Sequence, residues 1–179
     1  MKNPERFHYK VTSEPVHIRR NVESNSDPYI LDEQLAENSI CKRCGDVYMA
    51  GRWYNPDQLP TKSEHSPASE PHMVVCPACR KYSDKLPGGV LRLSGKFLNE
   101  HKEEIMNLIR NEATKAQSVN PLERVISIEN VDDALEITTT NEKLAQRIGR
   151  ALYKAYDGEV EYKWSEDTKL ARVNWHRES

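Results

Sequence analysis

No stretch of the sequence approaches the roughly 18 consecutive apolar residues that a membrane-crossing helix needs. The opening Met1-Lys2-Asn3-Pro4-Glu5-Arg6 leads into polar sequence, not into the apolar core of a signal peptide. Both absences point to a soluble, cytoplasmic protein with no membrane partner. Also missing is the basic surplus of a protein that lives on nucleic acid. With 26 Lys and Arg against 28 Asp and Glu, the formal net charge is -2, so any contact with a polyanion has to use a local patch. No Gly-rich phosphate loop, Ser-His-Asp set or paired-carboxylate constellation stands out, which supports neither an enzyme nor a small-molecule substrate. Apolar material is limited: 37% of the 179 residues are hydrophobic and 30% charged, a balance that favours small modules sharing contacts.

What is present is a set of four cysteines in two C-x-x-C pairs, Cys41 with Cys44 and Cys76 with Cys79. In a reducing compartment such pairs point to metal before disulfides. Each C-x-x-C turn places two sulfurs on one edge of a tetrahedron, and two turns complete the shell of one structural Zn2+. Four closed ligands leave no open position for a catalytic water, and neither pair has the βαβ context of a thioredoxin-like redox site. His65 and His72 are surface residues in this reading. Four thiolates around a dication leave a charge of about -2, which Lys42, Arg43, Arg80 and Lys81 beside the knuckles could offset. By side-chain count residues 41–95 carry 8 basic and 5 acidic groups, whereas 119–179 carry 9 and 12.

The pattern predicts an α+β protein in four segments. Residues 1–38 read as a polar tail, in part disordered, with Tyr9, Val11, Val16 and Ile18 as an alternative short hairpin. Residues 39–94 read as a zinc ribbon with a Pro- and Ser-rich loop insertion at 55–71, strands at 47–53 and 73–75, and a third strand at Val90 to Leu93. Residues 95–118 read as one long connecting amphipathic helix, capped by Ser94, with Phe97, His101, Ile105, Leu108 and Ile109 on one face. Residues 119–179 read as a ββαββ unit whose helix opens with a Thr139–Glu142 capping box and carries Leu144, Ile148, Ala151, Leu152 and Ala155 as its apolar stripe.

On the opposite side of that helix Lys143, Arg147, Arg150 and Lys154 recur at intervals of four, three and four, a basic ridge along which a phosphate backbone could lie or an ordinary solvated face. Arg52 with Trp53 and Tyr54 forms a second candidate contact, although Trp53 also suits the cover of the metal site. Tyr162, Trp164 and Trp175 resemble the aromatic strand platforms of RNA-binding sheets, yet Tyr162 and Trp164 share the face of Val160 and Trp175 that of Val173, which favours the core reading over the platform.

The run Cys41 to Trp53, with Cys76-Pro77-Ala78-Cys79-Arg80, Leu93-Ser94-Gly95-Lys96-Phe97, Pro121-Leu122-Glu123-Arg124 and Ala145-Gln146-Arg147-Ile148-Gly149, resembles an uncharacterised bacterial zinc-ribbon family over residues 39–177. The cysteine region alone is similar to the nonsense-mediated-decay-named export adaptor of the large ribosomal subunit in archaea and eukaryotes. That family carries further C-x-x-C pairs and domains that this chain lacks. The resemblance implies association with ribosomal RNA or a ribosome-bound process. The expectation is therefore a non-enzymatic zinc-binding protein of structured RNA or the ribosome, contacting it through Lys42, Arg43, Arg52, Arg80, Lys81, Arg147, Arg150 and Lys154. The alternatives are a protein–protein adaptor or regulator and a zinc-linked thiol redox sensor.

Overall fold

Strict alternation in the strand Gly89–Ser94, with Leu91 and Leu93 buried while Arg92 is exposed, is the pattern of a sheet with one covered and one open face. The structure is a computed structural model that describes residues 8–11, 35–59, 71–165 and 170–179. It is a mixed α+β fold of two sheets and four helices. In chain order the elements are β1 (His8–Val11), β2 (Ser39–Cys41), β3 (Val47–Met49), β4 (Arg52–Tyr54), β5 (Met73–Val74), α1 (Pro77–Asp84), β6 (Gly89–Ser94), α2 (Lys96–Glu100), α3 (Lys102–Val119), β7 (Val125–Val131), β8 (Ala134–Thr139), α4 (Glu142–Tyr156), β9 (Glu159–Trp164) and β10 (Ala171–His176). The larger sheet has the order β1-β9-β10-β6-β8-β7 and the smaller β4-β3-β2-β5. Among the described residues no helix is long and apolar enough to cross a membrane.

Several elements differ from the sequence expectation. The strand at Val90 to Leu93 does not join the small cysteine-bearing sheet. It lies at the centre of the large one, parallel to β10 and antiparallel to β8, so a segment boundary at residue 94 runs through this sheet. Leu91 and Leu93 explain the placement: burying each contributes about 1.5–3 kcal/mol, and strands of two or three residues have no comparable core to offer. The N-terminal segment also contributes, because β1 pairs with β9 from His8↔Lys163 to Val11↔Val160. Val16, Ile18 and the rest of residues 12–34 lie outside the described residues, as do 60–70 of the expected loop insertion. Residues 56–58 of that insertion form one 3-10 turn.

The expected single helix from Gly95 is two. His101 (φ -119°, ψ 26°) separates α2 from α3, and its ring stacks on Phe97 with centroids 4.1 Å apart. Ser94 does not cap it; it ends β6, and its hydroxyl meets His176 Nδ1 at 3.0 Å. Gly95 takes the junction at φ +106°, where a Cβ would lie 2.0 Å from the Arg177 carbonyl oxygen. Likewise α4 is capped by Asn141, whose Oδ1 accepts the Leu144 N–H at 3.0 Å. Thr139 stays in the ladder opposite Gly89 and cannot serve as the cap.

One core lies between the large sheet and the helices, built from Leu91, Leu93, Ile137, Val173 and Trp175 beneath Ile105, Ile109, Leu144, Ile148 and Leu152. Tyr162 and Trp175 are buried and Trp164 is half-buried and stacked on Tyr162 at 6.0 Å, which supports their reading as core. Gly149 lets α4 approach this face closely: a Cβ there would stand 2.7 Å from Val173 Cγ1 and 3.3 Å from the Tyr162 hydroxyl. Although alanine is the better helix former by about 1 kcal/mol, the clash dominates, and Gly149→Ala should cost about 1–3 kcal/mol in urea unfolding.

Burial pushes the Tyr162 hydroxyl above the usual tyrosine range, with the Arg150 charge opposing. The folded chain therefore holds this proton more tightly than the unfolded chain, in which the group titrates near about pH 10. Its contribution is complete below that pH and falls as the unfolded state ionises above it. Unfolding curves from about pH 8 to 11 should show stability declining at the alkaline end, less steeply in Tyr162→Phe.

Candidate metal centre

Local structure delivers the first cysteine pair by a tight turn. Cys41 ends β2, its carbonyl accepts the Gly45 N–H at 2.8 Å, and Gly45 takes φ +80°, a conformation a side chain would strain. Ala50 and Gly51 then both adopt positive φ, the two-residue turn whose twist suits the β3–β4 hairpin. The second pair comes from a helix start. Cys76 is the N-cap of α1, Pro77 occupies its first turn, and the Cys76 sulfur accepts the Cys79 N–H at 3.4 Å. The parallel pairing of β2 with β5 brings the two pairs together, and the Cys76 N–H donates to Cys41 Sγ at 3.3 Å.

All four sulfurs lie within 4.8 Å of one another, an arrangement that can hold a metal ion. The Cys44 and Cys76 sulfurs are 3.7 Å apart, far beyond the roughly 2.05 Å of a disulfide bond. Cys41, Cys76 and Cys79 are buried and Cys44 half-buried. Trp53, Ala78, Tyr48, Val75 and Leu122 surround them, so Trp53 covers the site and is not available for stacking.

Burial and mutual repulsion oppose ionising these neighbouring thiols together. Burial raises the Cys41 thiol, but the N–H groups of Cys76, Cys44 and Arg43 outweigh it and bring Cys41 down to about 6. Cys44 is pushed up to about 12, mainly by burial, against the opposing help of Arg124. Cys76 is raised further, by burial and then by the neighbouring Cys44, Cys41 and Cys79 charges. Without a metal, the Cys41 thiolate is favoured while Cys44 and Cys76 keep their protons; a soft or borderline dication would remove that conflict and release those protons on binding.

Arg124 is the functional residue whose role sequence reasoning did not assign; its sequence signal was its place in the Pro121-to-Arg124 motif. It reaches from the segment before β7 into the site, where Nη1 stands 3.6 Å from Cys79 Sγ, Nη2 pairs with the buried Asp46, and Nε donates to the Pro121 carbonyl at 2.6 Å. Burial opposes its charge, yet the Cys44 sulfur, Asp46 and Cys76 more than compensate and hold the guanidinium above the usual arginine range.

The eight basic residues expected to meet RNA fall in different settings. Lys42 and Arg43 are exposed, and Arg43 donates to Ser83 Oγ. Arg80 is half-buried with Nε on the Val75 carbonyl at 3.1 Å, and Arg52 donates to the Val119 carbonyl at 2.8 Å with its guanidinium 5.7 Å from the Tyr54 ring. Lys81 is buried, and its ammonium donates to the Thr140 carbonyl at 3.1 Å. It docks α1 onto the large sheet, which withdraws it from the candidate contacts. On α4, Lys143, Arg150 and Lys154 are exposed and Arg147 is half-buried. His72 is exposed and its carbonyl accepts the Ile40 N–H, while His65 lies outside the described residues.

No protein-family model, curated protein or solved structure matches this chain.

Removing one member of a buried ion pair strands the other. Arg124→Ala should destabilise the metal-loaded protein by about 3–5 kcal/mol in urea unfolding and make Cys44 and Cys79 react faster with a thiol reagent. Arg124→Lys, which keeps the charge but not the fork, should fall between the two.

Proposed function

We propose that the four cysteines hold one Zn2+ in a structural role, and that this chain is a non-enzymatic protein that binds structured RNA or the ribosome. For zinc, the support is the donor set and its spacing. Tetrahedral Zn–S bonds of about 2.3 Å place neighbouring sulfurs about 3.8 Å apart, close to the 3.7 Å between Cys44 and Cys76. On this reading β2 to β5 and the start of α1 are a zinc ribbon, α3 is the connecting helix, and β7-β8-α4-β9-β10 is the ββαββ unit of the sequence expectation. With four sulfurs as ligands the ion has no position left for water, so it folds the ribbon and does not activate a substrate. Zinc would supply only that cross-link when bound; the chain's own residues orient it, through the Cys76 and Cys79 N–H groups that donate to the Cys41 and Cys76 sulfurs and through the guanidinium of Arg124.

The RNA reading is carried by one observation: Lys143, Arg150 and Lys154 stand exposed along α4 with Arg147 beside them, while the apolar side of the same helix is committed to the core. A row of cations along a rigid helix can follow a phosphate backbone, and its attraction weakens steeply with salt. Lys42 and Arg43 offer a second, smaller positive surface beside the metal.

The experiment is sedimentation of the native protein, carrying one zinc per chain, through a gradient with ribosomal particles at low salt. The protein should travel with the particles, come off as salt rises, and bind at least about tenfold more weakly when Arg147, Arg150 and Lys154 are all changed to Glu. A protein that stays at the top of the gradient even at low salt refutes the RNA reading. Unchanged capture of protein partners by the triple variant would favour an adaptor.

A further inference from the structure

Between the cysteine-bearing module and the helix-facing side of the large sheet lies a hollow of about 570 Å³, within the size range of ligand sites. Its floor is apolar, formed by Ile109 and Ala113 of α3 with Val125 and Ile128 of the edge strand β7. Among the described residues Arg43, Arg110 and Arg124 line it and no carboxylate does; Cys44 and Cys79 also line it, with the Arg124 guanidinium 3.6 Å from Cys79 Sγ and so placed to offset their charge. Arg124 is committed to Asp46 and the sulfurs, but Arg110 and Arg43 are exposed and, among the described residues, donate to neutral groups, Asn107 Oδ1 and Ser83 Oγ. Tyr82 completes the lining from α1, and at 56% exposure its ring faces solvent.

We propose that this hollow receives an unstacked nucleotide of an RNA strand, a reading that rests on the RNA binding proposed above and adds a contact site distinct from the α4 ridge. Guanidinium groups match phosphate with paired N–H donors, and a flat base can lie on the Tyr82 ring against the apolar floor. An acidic peptide would satisfy the arginines but leave the aromatic and aliphatic surface without a flat partner. A strand fits better than a free nucleotide because the hollow does not end there. A second one, of about 580 Å³, continues along α3 and β7, shares Arg110 and Ile128, and carries one carboxylate, Glu103, beside Lys102, whose ammonium donates to Asn130 Oδ1 at 2.9 Å. Backbone phosphates entering or leaving the first hollow can pass Arg110 and reach Lys102.

The test uses the metal-loaded full chain and a fluorescent single-stranded RNA of about ten nucleotides, with the methyl NMR signals of Ile109 and Ile128 followed in parallel. RNA should shift both methyl signals. Tyr82→Ala and Arg110→Glu should each weaken binding roughly tenfold in fluorescence anisotropy. Arg110→Glu should also lower the dependence of affinity on salt by about one phosphate contact. Both side chains are exposed, so metal content and melting temperature serve as controls for folding. Binding that survives both substitutions but is lost on charge reversal of Arg147, Arg150 and Lys154 overturns the nucleotide hollow and leaves the RNA reading standing. No RNA binding at low salt overturns both together. Poly-glutamate shifting the two methyl groups as RNA does would assign the hollow to a protein segment and overturn the proposal.

Discussion

Four sulfurs within 4.8 Å of one another, three of them buried, are the constraint on which the small sheet depends. Strands of two and three residues cannot stand on their own hydrogen bonds and bury only a modest apolar cluster around Trp53. The four sulfurs meet where β2, β5 and the start of α1 converge, an arrangement that can hold one ion, and a set of donors is aimed at them: backbone N–H groups from Cys76 and Cys79, and the Arg124 guanidinium. A metal held there and the backbone would act as one unit. The ion needs deprotonated ligands, and the turn and helix start hold N–H groups where thiolate charge forms.

Arg124 extends that unit to the rest of the chain. Its side chain belongs to the segment leading into β7 of the large sheet, yet it ends on Asp46 and beside Cys79 in the small one. Lys81 makes the reciprocal connection, from α1 to the Thr140 carbonyl at the end of β8, and Arg52 reaches the Val119 carbonyl at the end of α3. Lys81 is buried on a main-chain carbonyl and Arg124 pairs with buried Asp46, while Arg52 is exposed and tied to a main-chain carbonyl. A count of basic residues near the cysteines thus overstates the charge offered to a partner. Exposed among the candidates are Lys42, Arg43, Arg52, Arg150 and Lys154, together with Arg110 in the hollow beside α3.

The cysteine pairs, the strands of residues 125–139 and 159–176 and the centre of the α4 stripe were legible because each depends on short-range spacing: two residues within a knuckle, a period of two in a strand, and 3.6 in a helix. Of the expected stripe Leu144, Ile148 and Leu152 are buried, while Ala151 is half-buried and Ala155 is exposed in the last turn. Less legible were the features that depend on a partner far along the chain. Ser94 looks like a helix cap and Thr139 like half of a capping box, and each is instead held in a strand by its neighbours in the large sheet, leaving Gly95 and Asn141 at the helix starts. The helix α1, eight residues long, follows a cysteine turn and has too few residues to show a period.

The sequence by itself determined which residues can ligate a metal, that the chain alternates short strands with amphipathic helices, and which face of α4 is polar, because local spacing decides all three. Only the tertiary structure decided that β6 sits between β8 and β10, that Lys81 is a buried strut, and that Arg124 closes the cysteine cluster. Sheet order and buried charge pairing depend on which surfaces meet after the chain has folded, and no local pattern encodes a contact between residues 46 and 124.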